Sequence, residues 1–274
     1  MKVSEQEIRR FQNRIFSWWR KHRRDLPWRR THDPYKIMIS EVMLQQTQVS
    51  RVHPKYKEFL HEFPTIYDLA NATTAKILRV WRGMGYNRRA LYLKRAAEKI
   101  VREYGGKPPR SEKELRKLPG LGKYTARAIL VFAYKQNIAC VDTNIRNIII
   151  HFFFNNVVQR ESVIQEIAEK LMPQGKSWAW HHALMDYGAL RMKKTKQMHP
   201  RKRTKETLPF KKSNRFIRGR IIDYLRTGRL REQVLLDHCI KAYGRDKPYF
   251  LSILEKLIAE GFIRRQGPSV GLSE

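Results

Sequence analysis

An all-α fold is predicted by three observations. Apolar residues recur at helical spacing through most of the 274 residues. Helix start signals precede several of these stretches, as at Asp33-Pro34 and Ser111-x-x-Glu114. A strand-and-turn pattern is confined to the last residues, at Gly261–Pro268 ahead of Val270 and Leu272.

Ile8, Phe11, Ile15 and Trp18–Trp19 mark an amphipathic first helix over 8–19. The basic run Lys21–Arg24 leads into Asp25-Leu26-Pro27-Trp28-Arg29-Arg30, a cationic loop with an embedded aromatic. Trp28 reads either as core packing or as a face on which a base stacks. The next helix, Pro34–Leu44, is apolar almost all round, which predicts burial. Glu41 is the only acid between Asp33 and Lys57. Burial raises a carboxyl pKa, so Glu41 is a candidate proton donor; the alternative is a buried structural acid paired with an arginine. Gln45-Gln46-Thr47-Gln48 supplies polar groups able to reach base edges. Helices continue over Val49–Glu103, broken at Phe63-Pro64-Thr65 and at the glycine turn Trp81–Tyr86. Tyr86, at its tip, reads either as a wedge for a base stack or as packing beneath the turn. The basic helix Arg88–Tyr104 reads as a solvated face.

Ser111 and Glu114 have capping-box spacing, and Leu118-Pro119-Gly120-Leu121-Gly122 ends that short helix in a tight turn. A second helix follows from about Lys123, with Ala126, Ile129, Leu130 and Ala133 on one face. Helix N-terminal N–H groups at such a turn suit a nucleic-acid phosphate, which marks Gly120, Gly122 and Lys123. Asp142, in Val141-Asp142-Thr143-Asn144, precedes a helix through Ile145, Ile148, Ile149 and Phe152. It therefore reads as an N-cap, a role compatible with a carboxylate facing a bound strand. A further helix is expected over Trp178–Leu190.

Arg191–Lys212 holds ten Lys/Arg residues and no cysteine, and reads as a basic connector, either touching phosphates or disordered when free. Beyond it, helices near Phe216–Leu225, Leu235–Ala242 and Tyr249–Ala259 with a terminal ribbon suggest a small winged-helix module over 215–274. The formal charge of +32 favours a polyanionic partner, nucleic acid above all. No stretch approaches the roughly 20 apolar residues that span a bilayer. Two cysteines, Cys140 and Cys239, argue against a disulfide scaffold and for a reducing cytoplasm.

Three motifs together, LPWR with DPYKIMISEVMLQQTQV, LPGLGKYTA followed by VDTN, and ALMDYGA, resemble the helix-hairpin-helix adenine DNA glycosylases of the MutY family over roughly residues 5–190. The resemblance implies two helical subdomains and monomeric action on duplex DNA containing mismatched or oxidised pairs. It makes Glu41 the catalytic acid and Asp142 the catalytic aspartate, with Tyr86 as the intercalating tyrosine beside Gln45 and Gln46. It also implies a base pocket of Arg24, Trp28 and Arg29, and DNA or base contacts from Asn144 and Asp186. Asn87 departs from the family's GLGYY. Family members usually continue into four cysteines that hold a [4Fe–4S] cluster. Two cysteines far apart cannot supply four thiolates, so no cofactor and no metal are expected. The longer members also carry a NUDIX-like domain that reads 8-oxoguanine. The 215–274 segment is too short for one, which leaves the opposite base open.

Cleaving an N-glycosidic bond calls for an acid to protonate the leaving base and an ionised carboxylate to face the cationic sugar. Glu41 and Asp142 fit these roles, and the base must leave the stack to reach them. Glycosylase-lyases of the endonuclease III type place a lysine where Tyr124 stands. Lys123 lies about 100° round the helix, so excision without strand cleavage is expected. The alternatives are a thymine glycosylase acting on T·G mismatches and a DNA-binding protein without catalysis.

Overall fold

Fourteen α-helices and three short strands make up residues 3–192 and 209–274, the part of the chain that the computed structural model describes. In chain order the helices are α1 (Glu5–His22), α2 (Pro34–Leu44), α3 (Val49–Glu62), α4 (Ile66–Asn71), α5 (Thr74–Val80), α6 (Arg88–Tyr104), α7 (Glu112–Leu115) and α8 (Lys123–Phe132). They continue with α9 (Thr143–Phe153), α10 (Glu161–Lys170), α11 (Ser177–Leu190), α12 (Asn214–Leu225), α13 (Glu232–Tyr243) and α14 (Lys247–Ala259). The strands are β1 (Leu230–Arg231), β2 (Ile263–Gln266) and β3 (Ser269–Leu272). Most of the expected basic connector lies outside the described residues. Among the described residues no helix is long and apolar enough to cross a membrane.

The described residues divide into two units, one of residues 3–41, 108–117 and 121–192, the other of 42–107, 118–120 and 209–274. In the first, α1 lies against α11 and α11 against α9. Its core joins Phe11 and Ile15 to Ile145, Ile148, Ile149, Trp180 and Leu184. Phe11 meets Phe153 edge to face at 5.1 Å and Trp180 at 5.8 Å, geometries that suit the ring quadrupoles. The first helix begins at Glu5, earlier than the apolar spacing indicates. Ser4 Oγ accepts from Glu7 N, and the Glu7 carboxylate accepts from Ser4 N at 2.8 Å, completing a capping box outside the periodic stretch.

Gly188 explains how closely α9 and α11 approach. A Cβ there would lie 2.6 Å from the Asn144 Cβ and 3.3 Å from its Cα, so a side chain would push α9 away. This contact fixes the start of α9, where Asp142 sits.

In the second unit α4 and α5 lie against α6. The C-terminal residues follow the order helix, strand, helix, helix, strand, strand, which is that of a winged helix, with β3 central and antiparallel to both β1 and β2. Strand β1 has two residues, too few to show a period of two, and was not expected from the sequence. This module belongs to the same unit as α3–α6. The Glu260 carboxylate accepts from Arg88 (2.9 Å) and Arg218 (2.7 Å), its carbonyl accepts from Arg95 (2.8 Å), and Ala75 N donates to Ser273 O at 2.8 Å.

Candidate active site

Asp33 starts the segment that carries the first acid. Its Oδ1 accepts from Tyr35 N at 2.8 Å and its carbonyl from Ile37 N at 2.9 Å, so α2 opens as Asp-Pro predicts. Residues Ile37 to Met43 are then all buried. Glu41 is 6% exposed, in agreement with the expectation of a buried acid. Burial drives its pKa from 4.5 to about 7; the nearby Asp142 charge adds to the rise, while a hydrogen bond from Tyr124 and the Arg29 charge oppose it. Glu41 is thus protonated in a large fraction of molecules near neutral pH.

Asp142 caps α9. Its Oδ1 accepts from Ile145 N at 2.7 Å and its Oδ2 from Asn144 Nδ2 at 2.9 Å. Burial raises its pKa, opposed by these bonds and by the charge of Arg24. The N-cap reading of Asp142 holds, and the cap keeps the carboxylate close enough to Glu41 for the two charges to interact. Asn144, expected to contact DNA, spends its amide on Asp142.

Tyr124 is half-buried on α8, with its hydroxyl directed to Glu41. Burial, then the charges of Glu41 and Asp142, push that hydroxyl well above the ordinary tyrosine range, so it stays a neutral donor. Lys123, the residue before it, is exposed, as is the capping residue Gly122, which offers α8 no side-chain acceptor.

Arg24 and Arg29 are held by Asp186, which is fully buried. Arg29 donates to both its oxygens, at 2.7 and 2.8 Å, in a bidentate pair. Arg24 Nε takes one oxygen, while Arg24 N (3.1 Å) and Trp19 Nε1 (2.9 Å) reach the other. Burial works to raise the Asp186 pKa, but the bonds and charge of Arg29, with those of Arg24, prevail and lower it. Asp186, expected to contact the flipped base, is found bonded to Arg24, Arg29 and Trp19. Its two oxygens already accept five hydrogen bonds, and it acts by setting the arginines beside the acids. Trp28 is 5% exposed on the short 3₁₀ turn Pro27–Arg29, which places it in the core and not as an open stacking face.

His181 escaped the reading of the sequence. Its Nε2 accepts from Cys140 N at 2.9 Å, and its Nδ1 lies 2.6 Å from Ser177 O. These bonds fix the Nδ1–H tautomer and tie the loop entering Asp142 to α11. Burial lowers the His181 pKa to about 4, so the imidazole is neutral and the tie does not titrate near pH 7. Cys140 is buried, and burial, with the charges of Glu41 and Asp142, lifts its thiol well above the usual range.

The second unit gathers Gln45, Gln46, Tyr86 and Gly120. Gly120 has φ 78°, and a Cβ there would meet the Tyr92 Cβ at 2.8 Å, so both the conformation and the space require glycine. Gln45 Nε2 donates to Gly120 O at 3.4 Å. Gln46 and Tyr86 both have left-handed backbones, φ 57° and 46°, and the Tyr86 hydroxyl donates to Gln46 Oε1 at 3.3 Å. Tyr86 is 40% exposed. Arg89 corrects the reading of α6 as a solvated face. It is buried and donates to the carbonyls of Val42 and Met43 (2.9 Å each), Gln45, Met84 (3.1 Å) and Gly85 (3.3 Å). One guanidinium thus satisfies the last carbonyls of α2 and those of the glycine turn. Burial lowers its pKa to about 10, which leaves it charged at neutral pH.

The family model of the HhH-GPD superfamily base excision DNA repair protein matches residues 39–174. The chain is 34% identical over 184 residues to the thymine/uracil-DNA glycosylase of Methanothermobacter thermautotrophicus, covering 66% of this chain and 83% of that one. It is 39% identical over 178 residues to the adenine DNA glycosylase of Mycolicibacterium smegmatis, covering 64% of this chain and 61% of the relative's length. A solved structure of a thermostable thymine-DNA glycosylase is similar at TM-score 0.66 and 31% identity, over 72% of this chain and 93% of that one. The all-α expectation and the motifs that framed it agree with these matches, and the chain belongs to the HhH-GPD superfamily of base excision DNA repair proteins.

Proposed function

We propose that the protein is a monofunctional DNA glycosylase that flips mispaired adenine, opposite 8-oxoguanine or guanine, out of duplex DNA and hydrolyses its N-glycosidic bond. The observation that carries this reading is Glu41, a buried acid with its pKa near 7 beside the second carboxylate, Asp142. Glu41 donates a proton to the base, and Asp142 faces the positive charge that grows on the sugar. Adenine has a basic imidazole-ring nitrogen for such an acid to protonate. Thymine has none, since one ring nitrogen carries the sugar and the other a hydrogen. The SEVMLQQTQV segment that bears Glu41 supports the same choice. The second reading, removal of thymine from T·G pairs, is favoured by the similarity to thymine glycosylases at 31–34% identity.

Incubation with A·8-oxoG, A·G, T·G and uracil-containing duplexes, followed by alkali, tests both readings. Excision confined to the adenine duplexes is expected; preferential cutting of T·G would replace the first reading by the second. Tyr124 faces Glu41 in place of an amine, so borohydride should trap no covalent adduct, and strand breaks should need alkali. Trapping by the wild type that disappears in Lys123→Ala would make the protein a lyase.

The proposal includes activity without an iron–sulfur cluster. Of the chain's two cysteines, Cys140 is buried against His181 and Cys239 is buried in α13. Among the described residues no three His, Cys, Asp or Glu side chains gather at a metal site. This donor set does not fit a four-thiolate cluster. The purified protein should hold no stoichiometric iron and keep full activity in chelator; iron in fixed ratio to protein would overturn this.

A further inference from the structure

Tyr86 is held from the winged-helix module. Arg215, in the first turn of α12, donates from Nη1 to the Tyr86 hydroxyl at 2.6 Å. Its guanidinium lies over the Tyr86 ring at 4.7 Å and over the Phe210 ring at 4.8 Å. Ser213 caps the same helix by accepting from Phe216 N, so Arg215 projects from an ordered turn. The Arg89 guanidinium also lies 5.5 Å from the centroid of the Tyr86 ring.

This clamp addresses a specific difficulty. Tyr86 has φ 46°, a left-handed backbone that a side-chain-bearing residue keeps only where its surroundings fix it. Gly85, with φ 68°, precedes it, so the turn has little stiffness of its own. A ring that enters a base stack loses rotamer freedom on insertion, and a ring already fixed loses less. Arg215 makes the shorter of two contacts at the tip hydroxyl, the other being Gln46 Oε1 at 3.3 Å, and it comes from the module at the far end of the sequence.

We propose that Arg215 is a positioning residue that holds Tyr86 as a preorganised wedge, so that the winged-helix module contributes to base flipping and not to DNA grip alone. The inference rests on the reading of the protein as a base-flipping glycosylase. If Arg215 were only a phosphate contact, its loss would weaken all duplexes alike and reduce the salt slope. As a positioning residue it acts on the flipped state.

The test uses the full chain and an A·8-oxoG duplex with 2-aminopurine beside the adenine, whose fluorescence rises when the stack opens. Arg215→Ala should lower both the fluorescence change and the single-turnover rate at saturating protein by about tenfold. Affinity for undamaged duplex should change less than about threefold, the loss of one phosphate contact. Arg215→Lys keeps the charge but not the plane shared with Tyr86 and Phe210. It should retain the wild-type salt slope while losing most of the flipping signal. In the double variant with Tyr86→Ala the losses should not add, because both changes remove one device. Additive losses, or a fall in affinity common to all duplexes with an unchanged saturated rate, would overturn the proposal, as would wild-type behaviour of Arg215→Ala. A wild type that excises no base from the four-duplex panel would refute the glycosylase reading instead, a result distinct from any Arg215 effect.

Discussion

Glu41→Gln should reduce single-turnover base excision by about 10²–10⁴-fold, the span that one general acid contributes, while duplex binding stays near wild type. The substitution removes the proton donor and changes little volume. Asp142→Asn removes the charge that faces the sugar and should cost about 10²–10³-fold. The pH profile of the wild type should be bell-shaped. Its alkaline limb should begin near pH 7, where Glu41 loses its proton, and fall tenfold per unit beyond it. Its acid limb should lie above the usual aspartate range, because burial raises Asp142. Since the two acids share a site, both limbs report the pair and not one residue.

The same residue should leave a signature in stability. Between pH 4.5 and about 7 the folded chain keeps a proton on Glu41 that the unfolded chain has lost, so stability falls as pH rises through this window and is flat above it. At pH 8 the ionised Glu41 therefore weakens the fold by about 3 kcal/mol. Glu41→Gln should be more stable than wild type by up to that amount at pH 8 in urea unfolding, with the difference vanishing below pH 4.5. Equal stabilities at pH 8 would mean that Glu41 is not desolvated, and the proton-donor role would lose its basis. A variant that is stronger as a fold and inactive as an enzyme separates site from scaffold.

What was legible in the sequence were the features set by neighbours in the chain. Asp33-Pro34 starts α2 because cap and proline act within one turn, and Gly120 sits where φ is 78°. Asp142 was readable as a cap three residues before Ile145, the donor it binds. The features that escaped are joined across long stretches. Asp186 meets Arg24 and Arg29 more than 150 residues away, and His181 reaches Cys140 across 41. Arg89 sits in a run of basic residues and looks like any solvated cation until the carbonyls of α2 are placed around it. Periodicity marked α6 but could not tell which cation turns inward. Strand β1 exists because β3 lies beside it, and two residues carry no pattern of their own.

Asp186→Ala should destabilise the chain by about 3–5 kcal/mol, the cost of removing one partner from a buried ion pair. Three residues lose an acceptor at once: Arg29, whose side chain is 8% exposed, at its guanidinium, Arg24 at its side chain and amide, and Trp19 at its indole N–H. The effect should persist in 1 M salt, because ions screen exposed charges and scarcely reach buried ones. Its pH dependence has the opposite sign to that of Glu41. The Asp186 pKa is lowered from 3.8, so its contribution is complete above that value and is lost as pH falls through the folded one; wild type and variant should converge in strong acid. Asp186→Asn tests charge apart from shape. Its amide offers one acceptor oxygen and turns an NH₂ toward the Arg29 donors, so it should recover only a minor part of the loss. Urea unfolding at pH 7 in low and high salt measures all of this. A loss under about 1 kcal/mol, or one abolished by salt, would mean that Arg24 and Arg29 keep their places without Asp186 and that the carboxylate is free for another task, the base contact included.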